Sequence, residues 1–393
     1  MRFEWTPGQK GRREHFREFS SAVIAPGSAE RDRDGCFDRR LWKALAQEGF
    51  WSANVPAEYG GDGGDLWDFL AGFEGLALGA GDCGFVLSAV AHSGLVQLLL
   101  EHGTDRQRRE FVPLLISGQI GATASTEPSG GSHVTAITTS AARADDGYLL
   151  SGRKAHITNA PVADLLMIVG RVPEVGARDI TLFLVESHQS GVRLGAPENL
   201  LGQRTSPTGA ITLDKVPVPS DRIVGAVGDG LATLYSFLAF DRLMYAVVTA
   251  AQLECIISRA LGHATTRRAF GAALAEHELI QDKIVDMKVT MESSRWLAYS
   301  AADALARHDA DSAVLASCAK IAASEGLVRA STEVIQILGH SGFEIGSGVE
   351  RYLRDAIAFR IAGGTTEMQK KNIFKYLANA HAGAVASGAG QRR

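Results

Sequence analysis

The sequence predicts a multidomain α+β protein with N-terminal helices, a central antiparallel β-barrel or sandwich, and a C-terminal four-helix bundle. Three observations lead there. All eleven prolines lie at or before Pro219. A proline costs roughly 3 kcal/mol inside a helix, so the chain beyond it is open to long unbroken helices. Residues 119–229 fall into short apolar runs separated by turn residues, the spacing of short strands. The first 118 residues return to helical apolar spacing.

The first region, 1–118, contains "DRRLWKALAQEGF" and "LWDFLAGFEGLALGAG". Each carries helical apolar spacing and ends near Gly, a stop signal. The Pro/Gly-rich stretch "NVPAEYGGDGGD" between them reads as a loop. The strand region, 119–229, contains "GYLLSGRKAHITNA", "DLLMIVGRV", "DITLFLVES", "GVRLG" and "AITLDKVPVP". The bundle, 230–381, is expected as four helices near 231–263, 277–308, 311–339 and 349–381. Ile280, Ile284, Met287 and Met291 step along one helical face. Leu231, Leu234, Leu238, Tyr245 and Val248 form a second stripe, and Asp241 falls inside it. A small-residue tail, 382–393, is expected to fray.

Composition sets bounds. The chain has 393 residues, 46% hydrophobic and 21% charged, enough for a large core and several domains. A net charge of -4 and a pI near 6.3 argue against a nucleic-acid surface. No uninterrupted apolar run reaches membrane-spanning length, since "DLLMIVGRV" is short and broken by Arg171. The N-terminal stretch has no apolar signal core and carries Glu4, Glu14 and Glu18, so a cytoplasmic protein is expected. Cys36, Cys83, Cys255 and Cys318 are far apart and read as buried reduced thiols. No His/Cys spacing suggests a metal.

Two stretches carry chemistry, "GATASTEPSGGSHVTAITTSA" and "QILGHSGFEIGSGVERYLRDAIAFRIAGGTTEMQ". Together with "HATTRRAFGAALAEHELIQ" and "VPAEYGGDGG" they resemble the acyl-CoA dehydrogenase family, collinearly over residues 40 to 377. The resemblance implies that family's fold, FAD as cofactor, an acyl-CoA or acyl-carrier-protein thioester as substrate, and a homotetramer or dimer. Electrons would leave to an electron-transfer flavoprotein or another acceptor. It also implies residue roles. Thr126 and Thr158 would give hydroxyls to the flavin, and Ser132 would lie near the FAD pyrophosphate. Arg267, Phe270, Gln336 and Gly339 would reach the FAD of a neighbouring subunit. Thr365 and Glu367 would close over the adenosine part. Donors at these places suit a flavin, which needs its reduced, anionic form stabilised.

Several positions depart from the family pattern. His156 stands where Trp or Phe usually lies against the flavin, so it could stack, donate a hydrogen bond or tune the potential. His133 replaces a usual Asp, and His340 a usual Gly. Most members carry a catalytic Glu two residues before the Thr of Gly-Thr-x-Glu; here that residue is Gly363. One branch, which includes isovaleryl-CoA dehydrogenase, supplies the base from a bundle helix, and Asp241 occupies that place. A carboxylate within an apolar stripe is costly unless it is used, and burial would raise its pKa toward that of a working base. Arg242, beside it, is taken as a substrate contact. Gly363 keeps the backbone N–H that would hold the thioester carbonyl. The reaction expected is oxidation of an acyl thioester to an enoyl thioester. A flavin monooxygenase or oxidase on the same fold, or a catalytically silent relative, also accommodates the missing Glu.

Overall fold

The computed structural model describes residues 4–390, with side chains described to residue 382. The chain divides into two compact units, Glu4–Asp241 and Arg242 onward.

The first unit opens with six helices: α1 (Pro7–Phe19), α2 (Ser28–Asp34), α3 (Arg39–Gln47), α4 (Leu66–Gly79), α5 (Cys83–His102) and α6 (Asp105–Ile116). Their starts are written in the sequence. Thr6 with Gln9, Asp65 with Asp68, and Thr104 with Gln107 form capping boxes, satisfying otherwise unpaired N–H groups. The helices enclose an aromatic knot of Trp42, Trp51 and His92, with ring centroids 4.4 to 5.1 Å apart.

Eight strands follow: β1 (Gly121–Ala124), β2 (Ser140–Ala144), β3 (Gly147–Thr158), β4 (Leu165–Arg171), β5 (Ile180–Glu186), β6 (Val192–Leu194), β7 (Thr208–Pro219) and β8 (Ile223–Val224). Their order is β6-β7-β3-β2-β4-β5-β8, with β1 on β4. Most pairs are antiparallel, as expected, but β1 runs parallel to β4, so the sheet is mixed. The β2 and β4 halves meet at one pair, Ser140 and Arg171, which lets them fold into facing layers. One core lies between the layers, around Leu150, Ile168, Phe183, Ile211 and Val216. The other packs Leu95, Leu99 and Phe111 of the helices against Met167, Val169, Leu182 and Leu184. Strands β4 and β5 are therefore buried on both faces, which is why they read as unbroken apolar runs.

Helix α7 (Gly230–Thr266) carries the chain into the second unit. A hairpin, β9 (Arg268–Ala269) and β10 (Ala272–Ala273), follows, then α8 (Glu278–Ala306), α9 (Ser312–Leu338), α10 (His340–Phe343), α11 (Glu350–Ile361) and α12 (Thr366–Gly390). Helix α9 is the centre, packed by α8, α11 and α12. Its buried face includes a run of small residues, Ala316, Ala319, Ala323, Gly326 and Ala330, beside the larger Leu327 and Val334. A Cβ on Gly326 would meet Thr290 at 2.4 Å, so α8 and α9 approach more closely there than any larger residue permits.

Four further sequence expectations change. The segment 349–381 is two helices, because Gly363 (φ 64°) and Gly364 (φ 91°) turn the chain into the left-handed region. The expected tail is helical through Gly390, and 391–393 lie outside the described residues. Of the four cysteines expected to be buried, Cys83 is buried, Cys255 and Cys318 are partly buried, and Cys36 is exposed. Helices α5 and α7 are long and apolar enough to cross a membrane, although neither contains an uninterrupted apolar run of that length. Their most apolar windows are 83% and 67% buried inside the protein, the pattern of core helices.

Candidate active site

In the first unit His156 and Thr158 lie at the end of β3, and the loop that holds Thr126 and Ser132 is tied to that strand at Thr126. Strand β1 leads into the loop holding Thr126 and Ser132, and the Ala155 N–H donates to the Thr126 carbonyl at 3.0 Å. That bond ties the loop to β3. Beneath it lies a polar cluster that sequence reasoning missed. The Glu127 carboxylate accepts from the N–H and hydroxyl of both Thr138 and Thr139, at distances up to 2.9 Å. Lys154 Nζ donates to it at 2.8 Å and to the Ser125 carbonyl at 3.3 Å. Both charged side chains are essentially inaccessible. Burial pushes the Glu127 carboxyl upward, but its bonds from Lys154, Thr139 and Thr138 outweigh that and hold it down at about 2. Burial lowers the Lys154 ammonium to about 8, against the pull of Glu127. The signal was present in the sequence, as a Glu inside the motif and a Lys in a strand four residues before Thr158.

His156 sits on an irregularity. Lys154 pairs with Ile211 and Ile157 with Gly209, so Ala155 and His156 together oppose one residue of β7. His156 has φ 56°, a left-handed conformation that costs a non-glycine residue roughly 1–3 kcal/mol. Its Nδ1 lies 2.9 Å from a Glu198 carboxylate oxygen.

In the second unit, Gly363 and Gly364 form the turn between α11 and α12. Gln369 Nε2 donates to both of their carbonyls, at 3.0 and 2.9 Å, and its Oε1 accepts from the Ser317 hydroxyl at 2.9 Å. Lys320 Nζ reaches the Gly364 carbonyl at 2.9 Å and Arg360's at 3.3 Å. Arg242 Nε lies 3.4 Å from the Gly363 carbonyl. Gln369, Lys320 and Arg242 are buried, so the turn is gripped from inside through its carbonyls. Among the described residues none accepts from the Gly363 N–H. The Thr365 hydroxyl accepts from the Met368 N–H at 3.3 Å, capping α12, and Glu367 is exposed in its first turn. Glu325 ties the turn to α9: Arg360 and Thr366 both donate to it, at 2.8 and 2.9 Å.

Asp241 and Arg242 are both buried mid-helix in α7, 6% and 7% exposed. Arg267 ends α7, exposed, before the hairpin whose turn residues Phe270 and Gly271 have φ 51° and 84°. Two positive φ values mark the tight hairpin turn, and a fully exposed Phe270 at its tip is unusual. Gln336 and Gly339 lie exposed at the end of α9, and His340 beyond them pairs with Glu344.

The residues present suit a flavin dinucleotide. The hydroxyls of Thr126, Thr158 and Ser132 bond to no described residue, and the Thr123 hydroxyl is buried without a partner. A Cβ on Gly131 would meet nothing within 4 Å, so that loop is open to a close ligand. The set offers neutral donors and backbone N–H groups, the chemistry that flavin carbonyls and phosphates need.

Comparison with known proteins decides the family. The family models for the acyl-CoA dehydrogenase N-terminal, middle and C-terminal domains match residues 6–119, 122–216 and 228–378. The chain belongs to the acyl-CoA dehydrogenase family. It is 32% identical to mitochondrial isovaleryl-CoA dehydrogenase of Solanum tuberosum, over 94% of this chain and 90% of that one. It is 29% identical to L-prolyl-[peptidyl-carrier protein] dehydrogenase of Pseudomonas fluorescens, over 96% and 100%. Its fold matches that of PigA with FAD and proline at a TM-score of 0.92, with 26% identity over 96% and 99% of the two chains. As a member of this family, the protein is an FAD-dependent acyl-thioester dehydrogenase.

Proposed function

We propose that this dehydrogenase oxidises a saturated acyl thioester to an enoyl thioester, with Asp241 as base and the Gly363 N–H holding the thioester carbonyl. When bound, FAD supplies the hydride acceptor. The observation that carries this reading is the Gly363 turn. Its carbonyls are fixed by buried donors, and its N–H is bound to no described residue. A donor held in advance can strengthen its bond as charge develops on the thioester oxygen, and needs no rearrangement to do so. An acidified Cα–H then needs a carboxylate. Gly363 offers none, and Asp241 is a buried carboxylate on α7.

Asp is shorter than Glu by about 1.5 Å. An offset of about 1 Å can cost a hundredfold in rate, so the acyl group is expected to be seated differently from that of a Glu-containing relative. That supports a specialised substrate, and we assign a carrier-protein thioester, the class named for the Pseudomonas relative. Electrons pass to an electron-transfer flavoprotein, and the enzyme works as a homotetramer in the cytoplasm. In that assembly Arg267 and Phe270 serve a neighbour's FAD.

The test is anaerobic bleaching of the flavin by a panel of acyl-CoA and acyl-carrier-protein thioesters, with wild type beside Asp241→Asn. Bleaching slowed about 10²–10⁴-fold in Asp241→Asn supports the assigned base. Equal bleaching in both would remove Asp241 from the reaction. Faster bleaching by CoA esters would reject the carrier-protein assignment alone.

A further inference from the structure

We propose that Glu198 is the positioning residue of His156, and that the pair presents the imidazole's free Nε2 edge to the bound flavin and so sets its affinity for electrons. This rests on the reading above that the end of β3 lines the flavin site. Much of the local fold serves to place one ring. The extra residue in β3 and the left-handed φ of 56° at His156 both re-aim that side chain. Glu198 is fixed from the other side of β7. Its N–H donates to the Thr208 carbonyl at 2.8 Å, and Gly195 N–H donates to the Ala210 carbonyl at 2.8 Å. Histidine and glutamate thus flank one strand, and the residues of that strand between them are the small Gly209 and Ala210. The pair closes over the strand with Nδ1 at 2.9 and 3.1 Å from the two carboxylate oxygens.

The chemistry follows from those contacts. A carboxylate only accepts, so Nδ1 carries the proton, and Nε2 is the imidazole's one remaining polar atom. It bonds to no described residue, and the His156 side chain is 67% exposed. A solvated surface pair gives little stability and supplies no reason for a strained backbone beneath it. The neighbours Thr126 and Thr158 also bring hydroxyls that no described residue engages. The carboxylate fixes the orientation of the ring, and a polar edge held in place beside a flavin bears on the stability of the reduced, anionic cofactor.

Equilibration of the full-length FAD protein with a redox dye reads this directly, with wild type, His156→Phe, Glu198→Gln, Glu198→Asp and the double variant His156→Phe/Glu198→Gln. We expect both His156→Phe and Glu198→Gln to shift the reduced-to-oxidised ratio about tenfold toward oxidised flavin, the size of a lost charged hydrogen bond. The double variant should shift no further, and Glu198→Asp should fall between. A second readout is ¹⁵N-histidine NMR of the full chain without added FAD. The His156 Nδ1–H signal should be present in wild type and lost or moved in Glu198→Gln. Additive shifts in the double variant, or unchanged ratios in the single ones, would overturn the proposal while leaving the flavin site intact. A wild-type protein that takes up no FAD would overturn the site reading as well.

Discussion

At the scale of residues, two buried groups make stability depend on pH. Glu127 sits well below its ordinary value because Lys154 and two threonines stabilise its charge against burial. Its contribution is complete above about 4.5 and is lost as pH falls toward about 2. Acid denaturation of wild type beside Glu127→Gln should therefore show a stability gap that narrows across that window. At neutral pH, Glu127→Ala should cost about 3–5 kcal/mol in denaturant unfolding, since it leaves Lys154 buried without its counter-charge. Lys154→Met should cost less, because Glu127 keeps its four threonine donors. His92 shows the opposite sense. Burial among Trp42 and Trp51 lowers it to about 3, so the folded state keeps it neutral while the unfolded chain takes up a proton near 6.5. It therefore subtracts stability increasingly as pH drops from about 6.5 toward 3. Its Nδ1 accepts from the Gly121 N–H at 3.0 Å, so the proton rides on Nε2. An NMR titration should find that tautomer unchanged down to pH 5, and a His92 that charges near 6.5 would contradict the burial.

At the scale of elements, the turn at 362–365 separates shape from chemistry. A Cβ on Gly364 would meet Gln369 Nε2 at 2.8 Å, on a backbone at φ 91°. Gly364→Ala should cost about 1 kcal/mol or more through strain and loosen the grip on the Gly363 carbonyl. Gln369→Leu leaves the carbonyls of Gly363 and Gly364 short of a donor inside the bundle, at about 1–3 kcal/mol. If that turn holds the thioester carbonyl, both variants should lower kcat/KM for the substrate by more than their Tm loss explains, while FAD content stays unchanged. A pure stability loss with normal turnover at low temperature would place the turn outside the reaction.

At the scale of the whole molecule, the second unit leaves many large apolar side chains in water. Phe270, Leu279, Phe343, Ile345 and Phe374 are each at least 73% exposed. Contiguous exposed apolar surface commonly marks a site of association. The proposed tetramer gives these side chains a burial partner. Sedimentation should show four copies associating, and Phe343→Ser with Ile345→Ser should shift the protein toward smaller species. A monodisperse monomer at micromolar concentration would reject the assembly, and with it the role given to Arg267 and Phe270 across subunits.

The helices, the strand region and the family were legible in the sequence because each rests on local rules. The apolar stripe through Ile284, Met287 and Met291 and the absence of proline after Pro219 act over a few residues. The break at Gly363 was written there too, as two adjacent glycines, but the helical period on either side masked it. Tertiary structure alone decided the rest. Glu127 meets Thr138, Thr139 and Lys154 from separate segments, and Glu198, in the loop after β6, meets His156 across strand β7. Which carboxylate pairs with which cation depends on strand order and register. Those are set by burial of whole faces against one another, and no local stretch of sequence encodes such pairings.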